Sequence, residues 1–254
     1  MISLASFRRI SGSIALLVLP LALATAALDS SADAATEKKA PIRMEMLKVK
    51  TNGLATGVRK RILPSYPFSA DGPMWLNGEP ERLRCSFGDD RLEETVIYGQ
   101  RQIIVYPVAE YRKLFSGPDQ LKEFDKRLKL MKTAIASRKV DAKEIAVLPS
   151  IDACQLIRSR VAFLNFDGGS GVRFVSRYAT DVSPTTGNDL FYTFQGLTED
   201  GRYWVSVFYP VNVTGLRETT DAAKSTRSIN KLAPRSFSPQ LEALDAMVRS
   251  IKIR

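Results

Sequence analysis

The fold is decided by residues 160–211, which read RVAFLNFDGGSGVRFVSRYATDVSPTTGNDLFYTFQGLTEDGRYWVSVFYPV. Four runs rich in β-branched and aromatic residues are separated by glycine-marked turns and one loop, a pattern typical of consecutive β-strands. In the second pair of runs, Asp200 and Gly201 stand between two apolar segments, which is a strong local signal of a β-hairpin. Residues 160–211 therefore predict a four-strand antiparallel meander.

The second hairpin of this meander is apolar on both faces. With Asp200-Gly201 as the turn, Glu199 is expected to pair with Arg202 across the strands. The same register opposes Leu197 to Trp204, Gly196 to Val205, Phe194 to Val207 and Tyr192 to Tyr209. One face then carries Phe191, Leu197, Trp204 and Phe208, and the other Tyr192, Phe194, Val205 and Val207. Because a sheet with one wet face alternates apolar with polar residues, the hairpin is predicted to be central and covered on both sides.

The first residues predict a secretory signal peptide. Arg8 and Arg9 precede an apolar run over residues 14–27, and small residues follow at 32–34. Pro20 breaks the run, which disfavours a membrane anchor, and no cysteine lies near the cleavage region, so a lipoprotein is not expected. We assign residues 1–34 to the signal peptide, 35–43 to a linker and 44–254 to a single domain. The mature chain is expected to be a soluble periplasmic or extracellular protein.

The remaining elements indicate an α+β fold: an antiparallel sheet with a central four-strand meander, packed by two main helices. Apolar residues at spacings of three and four predict a helix over 119–138. Ser238 as N-cap and Pro239 at the first helical position predict a second helix near the C-terminus. The other predicted elements are strands near 44–50, 83–87, 102–106 and 251–253, a long loop over 64–80 tethered by Trp75, a short helical turn at 153–157 and a loop over 212–235.

The chain contains no histidine, which excludes catalytic triads, zinc sites and general bases in their usual histidine-dependent forms. No phosphate-binding loop or dinucleotide fingerprint occurs, and we expect no cofactor and no metal. Four carboxylates after a predicted strand, Asp89, Asp90, Glu93 and Glu94, could supply the acid and base of glycoside hydrolysis. Arg91 separates them into two acidic pairs, a spacing that is also ordinary for an exposed turn.

Two cysteines, Cys85 and Cys154, allow two interpretations. An even number of cysteines in an oxidising compartment is consistent with a single disulfide, which would close a long loop. Alternatively both are buried free thiols, because free cysteine is a common core residue.

The formal charge is +10, and removal of residues 1–34 leaves it unchanged because two arginines and two aspartates are lost together. This excess favours anionic envelope polymers or a membrane surface. The predicted helix over 119–138 carries many lysines, but no aromatic residues alternate with them as base stacking requires, so no specific nucleic-acid contact is expected. We expect weak, salt-sensitive adhesion without a stereospecific site, and the sequence identifies no protein partner.

Several motifs resemble those of a group of uncharacterised exported bacterial proteins. The most specific is LFYTFQGLT-x-DGRY, residues 190–203, and a second is VYPVAEY, residues 105–111. Three further segments extend the resemblance over most of the mature chain: PMW at 73–75, GEPE at 78–81 and GSGVRF at 169–174. The resemblance implies one domain in the cell envelope and implies no activity. The terminal helix with the following residues 250–253 also resembles the end of PsbP-like and Mog1-like α+β domains, at the level of fold.

These observations lead to two functional hypotheses. The first is an exported, non-catalytic protein of the envelope or periplasm that acts as a binding or interaction module. The alternative is a carboxylate-dependent hydrolase of envelope polymers, which would use Asp89, Asp90, Glu93 or Glu94.

Overall fold

The computed structural model describes residues 41–69, 77–88, 99–141 and 144–254. The predicted signal peptide, residues 35–40 of the predicted linker, the tether Trp75 and the four carboxylates between 89 and 94 lie outside these ranges. The strands are β1 (Leu47–Lys48), β2 (Val58–Leu63), β3 (Arg82–Phe87), β4 (Gln102–Pro107), β5 (Cys154–Phe166), β6 (Gly169–Ala179), β7 (Leu190–Thr198), β8 (Tyr203–Val213), β9 (Phe237–Ser238) and β10 (Lys252–Ile253). The helices are α1 (Val108–Lys113), α2 (Pro118–Ser137), α3 (Ala222–Lys231) and α4 (Leu241–Arg249).

An antiparallel sheet in the order β2-β3-β4-β8-β7-β6-β5 forms the centre of the fold, and β9 extends it beside the end of β8. The α+β class with an antiparallel sheet is therefore confirmed. Strands β5 to β8 are consecutive neighbours, which confirms the meander. A separate pair, β1 with β10, joins the first described residues to the C-terminus.

The register of the β7–β8 hairpin agrees with the prediction. Leu197 opposes Trp204 and Phe194 opposes Val207. The turn differs in one contact, because Arg202 pairs with Asp200 at 2.6 Å rather than with Glu199. The backbone amide of Gly201 donates to the Thr198 carbonyl at 2.8 Å, and Gly201 has φ +69, a conformation that favours glycine. The short side chain of Asp200 accepts hydrogen bonds from the amide and from the guanidinium of Arg202, two residues further along the chain.

Both faces of this hairpin are buried. One face, which we call the α4 face, packs its aromatic and aliphatic residues against α4; the opposite α2 face packs against α1 and α2. The α4-face residues of the hairpin are Tyr192, Phe194, Val205 and Val207, and those of the α2 face are Phe191, Leu197, Trp204 and Phe208. Strand β8 occupies the middle of the sheet, so the prediction of a central hairpin covered on both sides is confirmed.

The two predicted helices exist, but one boundary was wrong. Helix α2 begins at Pro118 and buries Phe124 and Met131, as its apolar spacing predicts. Helix α4 begins at Leu241, with Gln240 as N-cap. Ser238 does not cap it, because its backbone pairs with Asn212 as part of β9.

Other local predictions were incomplete. Strand β5 already begins at Cys154, so the predicted helical turn at 153–157 is wrong. The predicted loop over 212–235 contains α3, whose N-cap Asp221 accepts a hydrogen bond from the Lys224 amide at 2.9 Å. Residues 44–46 form a 3-10 helix before β1. Strand β2 and helix α1 were not predicted. None of the helices in the described ranges is both long and apolar enough to cross a membrane.

A buried glutamine joins the sheet to the segment after α2. Gln195 Oε1 accepts hydrogen bonds from Trp204 Nε1 at 2.8 Å, Ser206 Oγ at 3.0 Å and the Leu148 amide at 3.1 Å. Its Nε2 donates to Thr193 Oγ1 at 2.9 Å. These contacts satisfy polar groups that have no access to water, and a buried donor without an acceptor costs about 1 to 3 kcal/mol.

Replacing Gln195 by leucine should lower the free energy of unfolding by about 2 to 5 kcal/mol, since three buried donors lose their shared acceptor. Urea unfolding followed by circular dichroism measures this change. Gln240→Leu, at an exposed position, is the control and should change stability by less than about 0.5 kcal/mol. Equal stability of both variants would show that the donors find other partners.

Truncating the central hairpin tests its position independently. Phe194→Ala or Val207→Ala should cost about 2 to 5 kcal/mol, because both side chains are fully buried on the α4 face. Val182→Ala is the matched control, since Val182 is 89% exposed. A loss below about 0.5 kcal/mol for both core variants would contradict the central placement of β7 and β8.

Candidate functional site

The carboxylates proposed for hydrolysis, Asp89, Asp90, Glu93 and Glu94, lie outside the described residues. The structure therefore neither brings these side chains together nor separates them. The described chain ends before them with Gly88 and resumes at Gly99.

The disulfide interpretation is contradicted, because Cys85 and Cys154 are both free thiols. Cys85 lies in β3 and Cys154 at the start of β5, five strand spacings away across the sheet. At about 4.8 Å per spacing this separation is about 24 Å, far beyond the roughly 7 Å between Cα atoms that a disulfide allows. The alternative of two buried thiols is correct only for Cys85, since Cys154 is exposed.

A groove of about 990 Å³ lies beside α2, opposite the segment that leads into β5. Its lining combines charged residues of α2 with small residues and Cys154 at the start of β5. The lining residues are Asp119, Lys122, Glu123, Asp125, Lys126, Arg127, Lys129, Ser150, Ile151, Asp152, Ala153, Cys154 and Thr180. Its two walls are separated in sequence by the segment after α2, so no local pattern predicts the groove.

Two of the carboxylates in this groove are held by arginines. Asp125 receives two hydrogen bonds from Arg112, at 2.8 and 2.9 Å. These bonds lower the pKa of Asp125, which is the opposite of what a general acid requires. Glu123 pairs with Arg127 at 3.0 Å, one helical turn further along α2. The groove therefore offers these two carboxylates as ion-pair partners rather than as proton donors.

The lysines of α2 are distributed differently. Lys126 pairs with Glu144 at 2.8 Å. Lys122, Lys129 and Lys132 are exposed, and none of them has a carboxylate partner within the described ranges. We call these three residues the α2 lysine row. Lys122 and Lys129 line the groove, whose lining carries equal numbers of acidic and basic side chains.

A second cavity of about 540 Å³ adjoins the groove and shares Asp152, Ala153 and Thr180 with it. Buried Arg177 in its wall donates to Ser183 Oγ at 2.6 Å and approaches Asp189 at 3.7 Å. These contacts hold the loop between β6 and β7. Arg177 is therefore occupied by the chain itself and is a structural residue.

Glu79 of the GEPE segment and Tyr106 of the VYPVAEY segment meet in one largely buried cluster. Tyr106 Oη donates to Glu79 Oε2 at 2.7 Å, and Arg82 approaches the same oxygen at 2.9 Å. Burial, followed by the nearby charge of Glu79, raises the pKa of Tyr106, so its hydroxyl stays protonated as a donor. Tyr66 and Glu79 also pair through their backbones, which closes the long loop at its base. One residue of each of these two segments therefore has a structural role within the described ranges.

A second buried network links α4 to the sheet. Asp245 accepts two hydrogen bonds from Arg173, both at 2.8 Å, and one from Tyr192 Oη at 3.0 Å. Asp245 is only 6% exposed, and these donors compensate for the hydration that its carboxylate loses on burial. No local sequence pattern predicts the network, because Arg173 and Asp245 are 72 residues apart.

Comparisons of the chain with models of protein families, with curated proteins and with solved structures find no match. Within the described ranges, no cluster of three or more cysteine, aspartate or glutamate side chains is arranged to hold a metal ion. The functional argument therefore depends on the surfaces of this chain.

The buried thiol gives a pH-dependent prediction. Burial raises the pKa of Cys85 from 9.0 to about 11, partly offset by the positive charge of Lys60. A raised folded-state pKa contributes stability that is complete below pH 9 and is lost as the pH rises towards 11. The free energy of unfolding should fall by roughly 1 to 3 kcal/mol over this range through Cys85 alone.

Urea unfolding at pH 8, 9, 10 and 11 under reducing conditions measures this loss. Cys85→Ala should show a smaller decline than the unmodified chain, whereas Cys154→Ala, which removes the exposed thiol, should show the same decline. If both variants declined alike, the buried thiol would not be the titrating group. Tyrosine ionisation contributes equally to all three proteins and cancels in the comparison.

Proposed function

We propose that this protein is an exported, non-catalytic module of the cell envelope that binds anionic polymers or membrane surfaces. The observation that carries the proposal is the set of exposed basic side chains that form no ion pair within the described ranges, which includes the α2 lysine row. The net charge of +10 supports it, because an excess of this size raises the local concentration of anionic partners. The resemblance to exported bacterial proteins and the predicted signal peptide support an envelope location, in the periplasm or outside the cell.

The described site supports binding better than hydrolysis. Hydrolysis of a glycosidic bond requires one carboxylic acid with a raised pKa and a second carboxylate on the other side of the bond. Asp125 has a lowered pKa, and Glu123 is held by Arg127. The hydrolase alternative depends on Asp89, Asp90, Glu93 and Glu94, and no described contact favours it.

Adhesion through exposed charge should depend on the number of charges and on salt. Screening is strong beyond about 8 Å at 0.15 M ionic strength, so long-range attraction weakens as salt rises. Lysine side chains suit this mode, because each is a hydrated point charge on a flexible stem. The α2 lysine row therefore acts as a solvated, adaptable contact surface.

Charge removal on two opposite surfaces tests this mode. Helix α3 also exposes three basic residues, Lys224, Arg227 and Lys231, which have no ion pair within the described ranges. Glutamine substitution of either triple lowers the formal charge from +10 to +7. We expect both triples to elute from a sulfonate cation-exchange resin at lower salt than the unmodified chain, and by similar amounts, with unchanged circular dichroism.

The design separates total charge from local position. Similar shifts support adhesion driven by exposed charge, as proposed. Retention that neither triple changes, or that persists at 1 M salt, would contradict it. Melting temperatures serve as the folding control, since all six side chains are exposed.

A further inference from the structure

Two arginines of the edge strand β2 share one face of the sheet with residues of β3. Arg59 opposes Ser86 and Arg61 opposes Arg84 in the antiparallel ladder. Directly opposed residues of such a pair point to the same side, with Cβ atoms about 5 Å apart. Because Lys60 opposes Cys85 of the α4-face core, Arg59 and Arg61 belong to the α2 face.

Arg59 and Arg61 differ from the other arginines of this face. Arg82 pairs with Glu79, and Arg84 donates to Gln100 Oε1. Arg59 and Arg61 are exposed, and within the described ranges neither side chain forms an ion pair or a hydrogen bond. Residues at i and i+2 of a strand are about 7 Å apart along the chain. The two guanidinium groups can therefore converge on one anion placed between them.

Ser86 provides a second, independent observation. The residue is 0% exposed, and its Oγ has no hydrogen-bond partner in the part of the chain that the structure describes. Buried hydroxyl groups nearly always have a partner, and an unpaired one costs free energy. Ser86 stands in register between Arg59 and Gln102, so its side chain lies on the same face of the sheet as the two arginines, beneath the surface.

We propose that Arg59, Arg61 and Ser86 form a binding site for a phosphoryl group. Arginine presents a planar fork of donors that matches phosphate oxygens with two parallel hydrogen bonds. Two such forks suit a phosphoryl group, whose oxygens are arranged tetrahedrally and can accept from two directions, better than a carboxylate, whose two oxygens lie in one plane. The serine hydroxyl is enclosed in this structure, so it supplies a further donor to the same group when the side chains that cover it move towards the anion. This inference deepens the proposed function, on which it rests for the source of the ligand, and departs from the sequence-based expectation of adhesion without a defined site.

The phosphoryl group has two sources that one experiment can separate. Isothermal titration of the chain with inorganic phosphate, and separately with a short poly(glycerol phosphate), compares a free phosphate with a phosphodiester. Measurements at 0.15 and 0.5 M sodium chloride separate the site from screened adhesion. We expect saturable binding of at least one probe, with one phosphoryl group bound per chain, that persists at the higher salt.

Three pairs of substitutions identify the residues. R59Q/R61Q should weaken this binding at least tenfold, whereas K122Q/K129Q, which removes the same charge beside the groove, should change it less than twofold. R59K/R61K keeps the charge but loses the donor forks, so it should retain resin adhesion while binding the probe several-fold more weakly. Absence of saturable binding, or equal weakening by R59Q/R61Q and K122Q/K129Q, would overturn the site and leave the adhesion measured on the sulfonate resin unaffected.

Ser86→Ala tests the donor separately from the charge. Alanine removes an unpaired buried hydroxyl, so the melting temperature without ligand should stay the same or rise. Affinity for the probe should fall by about threefold to tenfold, the effect of losing one hydrogen bond to a charged group. A lower melting temperature with unchanged affinity would assign Ser86 a structural role and overturn its place in the site.

Discussion

The structure depends on the burial of both faces of the β7–β8 hairpin. Phe194 and Val207 on one face, and Phe191 and Trp204 on the other, must all be kept from water, so helices are needed on both sides of the sheet. Covering both sides also buries polar atoms, and Gln195 satisfies them with four hydrogen bonds. The centre of the sheet is closed, and the accessible grooves and unpaired charges lie towards the edge strands β2 and β5 and over the outer helices.

The sequence predicted those parts of the fold that depend on local signals. The Asp200-Gly201 turn determines the register of the hairpin, and the register determines which residues share a face, so the two sets of core residues followed correctly. Helix α2 was predicted because apolar residues recur at the helical period. In each case the residues that carry the signal are close in sequence.

The parts that could not be predicted depend on distant partners. Arg82 and Arg84 alternate with apolar residues and look like solvent-facing positions, yet both are buried, because Glu79 and Gln100 reach them from neighbouring segments. Helix α3 was assigned to a loop because only Ile229 and Ser225 of its ten residues are buried. The groove beside α2 is likewise built from two separate segments, and the Arg173–Asp245 pair spans 72 residues. Composition reported the positive charge, but only the three-dimensional structure distinguishes neutralised from unneutralised charges.

Strand β2 shows how one short segment meets two opposing demands. An edge strand exposes unpaired backbone groups that can pair with another chain, and charged side chains reduce that risk. Lys60 turns inwards, where its Nζ donates to the Leu47 carbonyl at 2.5 Å and ties the first described residues to the sheet. Arg59 and Arg61 turn to the opposite face, where their like charges repel each other unless an anion lies between them. The same two arginines protect the edge when the site is empty, where water screens their repulsion, and a phosphoryl group bound at the proposed site would supply the counter-charge.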